Sequence, residues 1–211
     1  MNKIDIDILS NVMTYEAYTA QANALLKSGK ASTMGTDNSP EMLHYTEMNV
    51  QRMHRLDKTA KPTDKTNEIL RGIKKPMTWL VISEAWCGDA AQIVPVLEKM
   101  AIQNSLIKHR LLFRDEHLEI MDAFLTEGSR SIPKVILLDD QGSVLGDWGP
   151  RPSALHTIIM AQKAIMQAMP KEERKAYFEK IKTDVQMWYN HDKTVSIQDE
   201  FLEKVQACME V

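Results

Sequence analysis

The seven-residue run MTWLVIS, residues 77 to 83, constrains the fold more than any other segment. It is apolar, carries β-branched residues and is too short to stand as an independent helix, so it predicts a buried strand. A strand buried on both faces needs a covering layer on each side. The residues that follow supply alternating elements. GDAAQIVPVLEKMA places Ala91, Val94, Leu97 and Ala101 at helical spacing, IKHRLLFRD reads as a strand, and HLEIMDAFL reads as a helix. PKVILLDD and SVLGDWG read as strands joined by DQG, a hairpin signal, and SALHTIIMAQKAIMQAM closes the unit as a helix. The order from residue 77 is strand, helix, strand, helix, strand, strand, helix. It predicts an α/β unit with a four-stranded mixed sheet whose last two strands are antiparallel.

The flanks read as helical. Ile8, Val12, Tyr15, Ala22 and Leu25 follow helical spacing, with Gly29 as a C-terminal stop. GKASTMGTDNSP is a loop by composition, a second helix runs from about Pro40 to Lys58, and a short one covers TDKTNEILRGI. Pro170 is placed to open a tail helix, NHDKT breaks it, and Ser196 is a candidate N-cap for the last helix. The expected organisation is an N-terminal helical extension over 1–60, an α/β domain over 61–169 and a C-terminal helical extension over 170–211.

Charge and composition exclude several classes of function. The formal net charge is -3 over 211 residues, with both signs interspersed and no basic stripe, so nucleic acid is not an expected partner. No run approaches a membrane span, and the start lacks the apolar core and cleavage site of a signal peptide. With Cys87 and Cys208 as the only cysteines, the expectation is a cytoplasmic protein with reduced thiols. His44, Glu47, Gln51 and His54 share a helical face. The two histidines lie ten residues apart, about 15 Å along a helix axis, too far to share one metal ion. No metal site, phosphate loop, nucleophile elbow or dinucleotide fingerprint is legible, and no cofactor is expected.

The chemistry-bearing stretch is SEAWCGDAAQIVP, residues 83 to 95. Cys87 ends the first strand and begins the next helix, where unpaired N–H groups and the helix dipole favour a thiolate. Asp89 in the first turn opposes that, because a nearby negative charge disfavours a second one. The balance predicts a thiol moderately more acidic than a free one. Cys208 on the terminal helix reads as a structural cysteine.

Trp86-Cys87-Gly88, Pro95 eight residues after the cysteine, the segment RSIPKVILLDDQGSVLGDWG and Gly149 sixteen residues after Pro133 together resemble the thioredoxin fold. The resemblance covers about residues 60 to 169, and the whole is similar to bacterial thioredoxin-family proteins with a Trp-Cys-Gly-Asp signature and flanking helices. It implies that Cys87 is the nucleophile of thiol–disulfide chemistry. It also implies a cis Ile132–Pro133 bond near the Cys87 sulfur, with Trp86, Ile132 and Pro133 guiding substrate. Asp89 and Arg130, the latter beside the proline, are candidates for tuning the thiol. The chain departs from thioredoxins where they carry the second cysteine, here Ala90, and the buried aspartate, here Val81. An external thiol would therefore have to resolve a mixed disulfide. Gly146-Asp147 is suggestive of a glutaredoxin glutathione site, but Glu84 argues against one; Glu84 itself reads as exposed or capping. The expected partner is a protein disulfide or a small thiol. The competing reading is a non-enzymatic binding module that uses the cis-proline groove for a peptide or protein. A third is an interaction protein whose helical extensions do the work. Substrate, reductant and oligomeric state are not legible.

Overall fold

The computed structural model describes residues 1–35 and 37–209, with backbone only at Ile6 and Asp7. Its elements in chain order are α1 (Ile6–Ser10), α2 (Tyr15–Lys27), α3 (Pro40–Thr59), α4 (Asp64–Gly72), β1 (Met77–Ser83), α5 (Gly88–Ala101), β2 (Ile107–Phe113), a short 3-10 turn at Arg114–Glu116, α6 (Leu118–Met121), β3 (Lys134–Leu138), β4 (Val144–Trp148), α7 (Ser153–Ala168), α8 (Lys171–Asp192) and α9 (Val195–Met209). The four strands form one mixed sheet in the order β2-β1-β3-β4. β1 pairs in parallel with β2 and antiparallel with β3, and β3 pairs antiparallel with β4.

This topology follows from the strands' composition. Six of the seven residues of β1 and all five of β3 are buried, so both central strands must be covered on both faces. α5 packs against α3, β2 and α9, while α2 lies along β2. Trp79 of β1 is fully buried, edge-on to Phe201 of α9 with ring centroids 4.7 Å apart. Tyr18 of α2 stacks near Phe113 of β2 at 5.0 Å and shares a hydrogen bond with the Ser83 hydroxyl. One apolar core therefore includes residues from both flanking segments, among them Ile4, Tyr18, Met53 and Phe201.

Three local expectations differ from the structure. The first predicted helix is two, because Met13 leaves helical geometry to exchange both backbone hydrogen bonds with Leu111 (3.0 and 2.9 Å) at the edge of β2. An edge strand offers unpaired backbone groups, and this bridge covers some of them. The helix predicted over HLEIMDAFL is only the four-residue α6. Ser196 is not an N-cap: it lies inside α9, and its backbone N–H and hydroxyl both pair with Asp192. The break before it falls at Lys193 and Thr194, both with positive φ. Among the described residues no helix is long and apolar enough to cross a membrane.

α7 and α8 pack against each other. Only Leu155 and Ile159 of α7, and Ile181 and Tyr189 of α8, are buried. These two helices, with α3, place walls around the N-terminus of α5.

Candidate functional site around Cys87

β1 ends at Ser83, and a tight turn carries the chain to Cys87, whose N–H donates to the Glu84 carbonyl at 3.0 Å. Cys87 has extended geometry at the N-cap of α5, so the free N–H groups of the first turn face its side chain. Its thiol donates to the Ile132 carbonyl at 3.3 Å. The Ile132–Pro133 peptide is cis, as is Gly149–Pro150. Ile132 and Pro133 are both buried. Gly149 lies against this turn with φ +116°, and a Cβ there would come within 2.4 Å of the Pro133 carbonyl oxygen. Only glycine fits both the backbone conformation and the approach.

Cys87 is 8% exposed, and its pKa is pushed up to about 12. Burial is the main cause and the Asp89 carboxylate the next; the N–H groups of Ala90 and Asp89 and the Arg151 guanidinium pull the other way. The expectation of an acidic thiol is therefore corrected. It weighed the helix terminus against Asp89, but desolvation outweighs both. α8 lies over the first turn of α5, beside Cys87. Gln186 of α8 hydrogen-bonds Gln92 of α5 at 2.7 Å, and its amide nitrogen lies 3.5 Å from where a Cβ on Gly88 would sit.

Asp89 is buried and fully engaged. Arg151 donates twice to its Oδ2 (2.9 and 2.6 Å), and the Tyr189 hydroxyl of α8 donates to its Oδ1 at 2.8 Å. The carboxylate thus ties the first turn of α5 to α8 and to the residue after Pro150. Burial and the Asp89 carboxylate push the Tyr189 hydroxyl well above its ordinary range.

Arg130 does not reach the thiol. It is about half exposed and forms a bidentate pair with Asp122 (2.6 and 2.8 Å), so the tuning role expected of it is corrected. Its guanidinium is spent on Asp122, the residue that follows α6. The cation that faces Cys87 is Arg151. Trp86 is half-buried, with the Arg114 guanidinium 4.9 Å from its ring centroid. Trp148 is core, packed on Phe201.

Glu84 is also placed differently from the exposed position expected. It is fully buried and accepts hydrogen bonds from the Ser32 hydroxyl (2.9 Å) and the Asp115 N–H (3.0 Å). Its pKa is raised to about 7, chiefly by burial. Cys208 is half-buried on α9, and its sulfur lies against Gly146 of β4. Gly146 pairs with Leu137, five residues beyond Ile132. Five residues of extended chain, about 16 Å, therefore separate the backbone that Cys87 touches from the one that Cys208 lies beside.

A cavity of about 860 Å³ opens beside Cys87, Gly88 and Asp89, walled by α3 on one side and α8 on the other. Asn49 of α3, itself 1% exposed, donates to the Ala85 carbonyl at 3.2 Å and so fixes the turn before the cysteine to this wall. Among the described residues no three His, Cys, Asp or Glu side chains converge as a metal ion would require.

Asn49, Arg151, Gln186 and Tyr189 were absent from the sequence reading. Arg151 had one faint signal, a lone charge in the stretch WGPRP. Tyr189 had none, standing one hundred residues from Asp89.

A cysteine at the first strand-to-helix junction, facing a cis-proline turn across a four-stranded mixed sheet, defines a thioredoxin-fold protein. A family model described as thioredoxin, Thioredoxin_9, matches residues 35–167, and the chain belongs to that family. A search of curated proteins finds no match. Among solved structures, a protein of unknown function from Pseudomonas aeruginosa is similar at 17% identity and a TM-score of 0.51, covering 92% of this chain and 98% of that one. An HIV epitope-scaffold is similar at 16% identity and a TM-score of 0.50, with the same coverage. The NTD_N/C domain of the alkylhydroperoxide reductase AhpF from Enterococcus faecalis is similar over 50% of this chain and 52% of that one, at 18% identity and a TM-score of 0.37.

Proposed function

We propose that the protein carries out thiol–disulfide exchange through Cys87 as a single, covered nucleophile. Family membership and the placement of the thiol support this reading. The observation that carries it is the sulfur's position at the start of α5, in the field of the Asp89 and Ala90 N–H groups and opening onto a cavity. The Cys87 thiolate attacks one sulfur of a disulfide. A new S–S bond forms to Cys87, the old one breaks, and the leaving thiolate carries off the electron pair and takes up a proton. A second, external thiolate then attacks the mixed disulfide and releases Cys87. With Ala90 in place of a second cysteine and Cys208 far off, no neighbouring thiol competes for that step.

A thiol buried to a pKa of about 12 is almost wholly protonated at neutral pH, so exchange requires water or substrate from the adjoining cavity to reach the sulfur and draw off its proton. The same observation favours a second reading, a binding module in which Cys87 is a packed residue of the groove. Alkylation of the Cys208→Ser protein across pH 6 to 11 separates the two. Exchange predicts measurable labelling of the native protein below pH 9 and a mixed disulfide that is lost in Cys87→Ser. Labelling that appears only on unfolding would leave the binding module.

A further inference from the structure

The charges around the cavity are unevenly matched. Its acidic lining consists of Asp37, Glu41, Asp89 and Glu179. Asp89 is held by Arg151, Glu179 by Lys182 at 2.6 Å, and Glu41 by Lys175 at 3.9 Å. Asp37 is exposed and accepts the Ser39 N–H. Its cationic lining is Arg52, Arg151, Lys163 and Lys182. Arg151 and Lys182 are taken, Lys182 also lying 3.7 Å from the Tyr45 ring centroid. Arg52 and Lys163 have no ion-pair partner among the described residues.

Arg52 is the telling one. It is half-buried, and it donates to a neutral partner, the Asn49 side-chain oxygen at 2.6 Å. A guanidinium carries five donors. Arginine is rarely taken fully out of water without a carboxylate, so the donors that Arg52 does not spend on Asn49 are available to an anion. Here burial and the neighbouring Arg55 depress the Arg52 pKa. Asn49 binds the Ala85 carbonyl with its amide nitrogen and Arg52 with its oxygen, so the guanidinium is positioned two hydrogen bonds from the Cys87 turn. Between the charges the lining is apolar and aromatic, including Trp86, Tyr45, Met48 and Ile181. A volume of about 860 Å³ suits a small molecule rather than an extended chain.

We infer that this cavity binds a small disulfide or thiol bearing a carboxylate, with Arg52 receiving the carboxylate and the sulfur directed to Cys87. The inference rests on the exchange reading above and names its substrate class. A guanidinium is suited to a carboxylate by its fork of parallel donors, and Lys163 at the exposed rim adds a second cation. The Cys87 thiolate attacks one sulfur of the disulfide so held, and the other half leaves as its thiolate and takes up a proton; a different external thiol then attacks the substrate-derived sulfur of the adduct, leaves joined to it as a new disulfide and frees Cys87.

The test uses the full chain carrying Cys87→Ser, so that binding is read without redox chemistry. Calorimetry compares dithiodiglycolate, bis(2-hydroxyethyl) disulfide, cystamine and inorganic phosphate. The expected order is dithiodiglycolate tightest by about ten-fold over the neutral disulfide, with cystamine weakest. Adding Arg52→Met should remove that ten-fold advantage, and Arg52→Lys should restore part of it, with circular dichroism unchanged. Equal affinity across the three disulfides, no binding at all, or phosphate binding as tightly as dithiodiglycolate would each overturn the inference. The charge series needs no variant at Arg52, so a misfolded Arg52→Met protein leaves it decisive. Failure of the wild-type protein to form any Cys87 adduct is a separate result and bears on the exchange reading alone.

Discussion

The helix that begins at Cys87 and the helix that lies across it are built on opposite terms. Eleven of the 14 residues of α5 are buried, whereas α8 buries two of 22. α5 is held by apolar packing against the sheet, α3 and α9. α8 reaches the site through two polar contacts, Gln186 to Gln92 and Tyr189 to Asp89, and through a narrow apolar edge made by Val185, Trp188 and Tyr189. Apolar burial contributes stability in proportion to area, while a single hydrogen bond contributes about 0.5 to 1.5 kcal/mol net. Stability therefore resides in the sheet and α5, and access to the thiol resides in the cover. A covered reactive group with a weakly attached cover can stay unreactive at rest without the fold being at risk when the cover moves.

The largest expected effect tests where stability resides. Trp79→Ala removes a fully buried ring and its edge-on contact with Phe201, and should cost about 3 to 5 kcal/mol in urea unfolding. Phe178→Ala on α8, where the ring is 43% exposed, should change stability by no more than about 0.5 kcal/mol. Similar losses at the two positions would break the comparison.

The next concerns Glu84, a buried acid under the sheet's edge of the site. Its pKa rises from 4.5 to about 7 on folding. As pH rises, the unfolded chain gives up this proton first, so the contribution of the protonated group is complete below pH 4.5 and is lost as pH approaches 7. The full displacement is worth about 3 kcal/mol as an upper bound. Glu84→Gln should flatten stability between pH 5 and 7.5 and make the protein more stable at pH 7.5, by up to that amount. An unchanged slope across that window would show that Glu84 is ionised and hydrogen-bonded in the native state at neutral pH.

The comparison also separates what could be read in the sequence from what could not. MTWLVIS, GDAAQIVP and the PKVILLDD–SVLGDWG hairpin carry their structure in local composition and period, and the four-stranded sheet followed from them. The site did not follow in the same way. The helix terminus and Asp89 are neighbours of Cys87 in sequence, so their opposed effects were visible. Burial, the largest effect on the thiol, comes from residues distant in sequence, Ile132 among them, and the helix that closes over the first turn of α5 begins more than eighty residues later, in a segment whose mixed charges gave no sign of what it covers. Arg130 and Arg151 show the same limit from the other side. One stands near Pro133 in sequence and is spent on Asp122; the other lies beyond the hairpin and faces Asp89. Glu84 was read as exposed because a lone acid usually is, and its two hydrogen-bond partners come from separate loops.

The smallest effect on stability should be the clearest on chemistry. Gln186 contributes one side-chain hydrogen bond, to Gln92, and lies close over Gly88. Gln186→Ala opens that part of the cover without touching the Asp89–Arg151 pair or the apolar core. The lost bond should cost about 1 kcal/mol or less, because water can reach the freed Gln92 amide. Desolvation is the first cause of the raised Cys87 pKa, so admitting water lowers it. Each tenfold gain in thiolate corresponds to about 1.4 kcal/mol of restored solvation, so even partial opening should speed alkylation at pH 8 severalfold. The measurement is the Cys87 labelling rate in a Cys208→Ser background, set beside the urea midpoint of the same protein. A faster rate with a nearly unchanged midpoint places the control of the thiol in α8. An unchanged rate would place it in the packing of Cys87 against Ile132, just before β3, and the cover would then be a bystander.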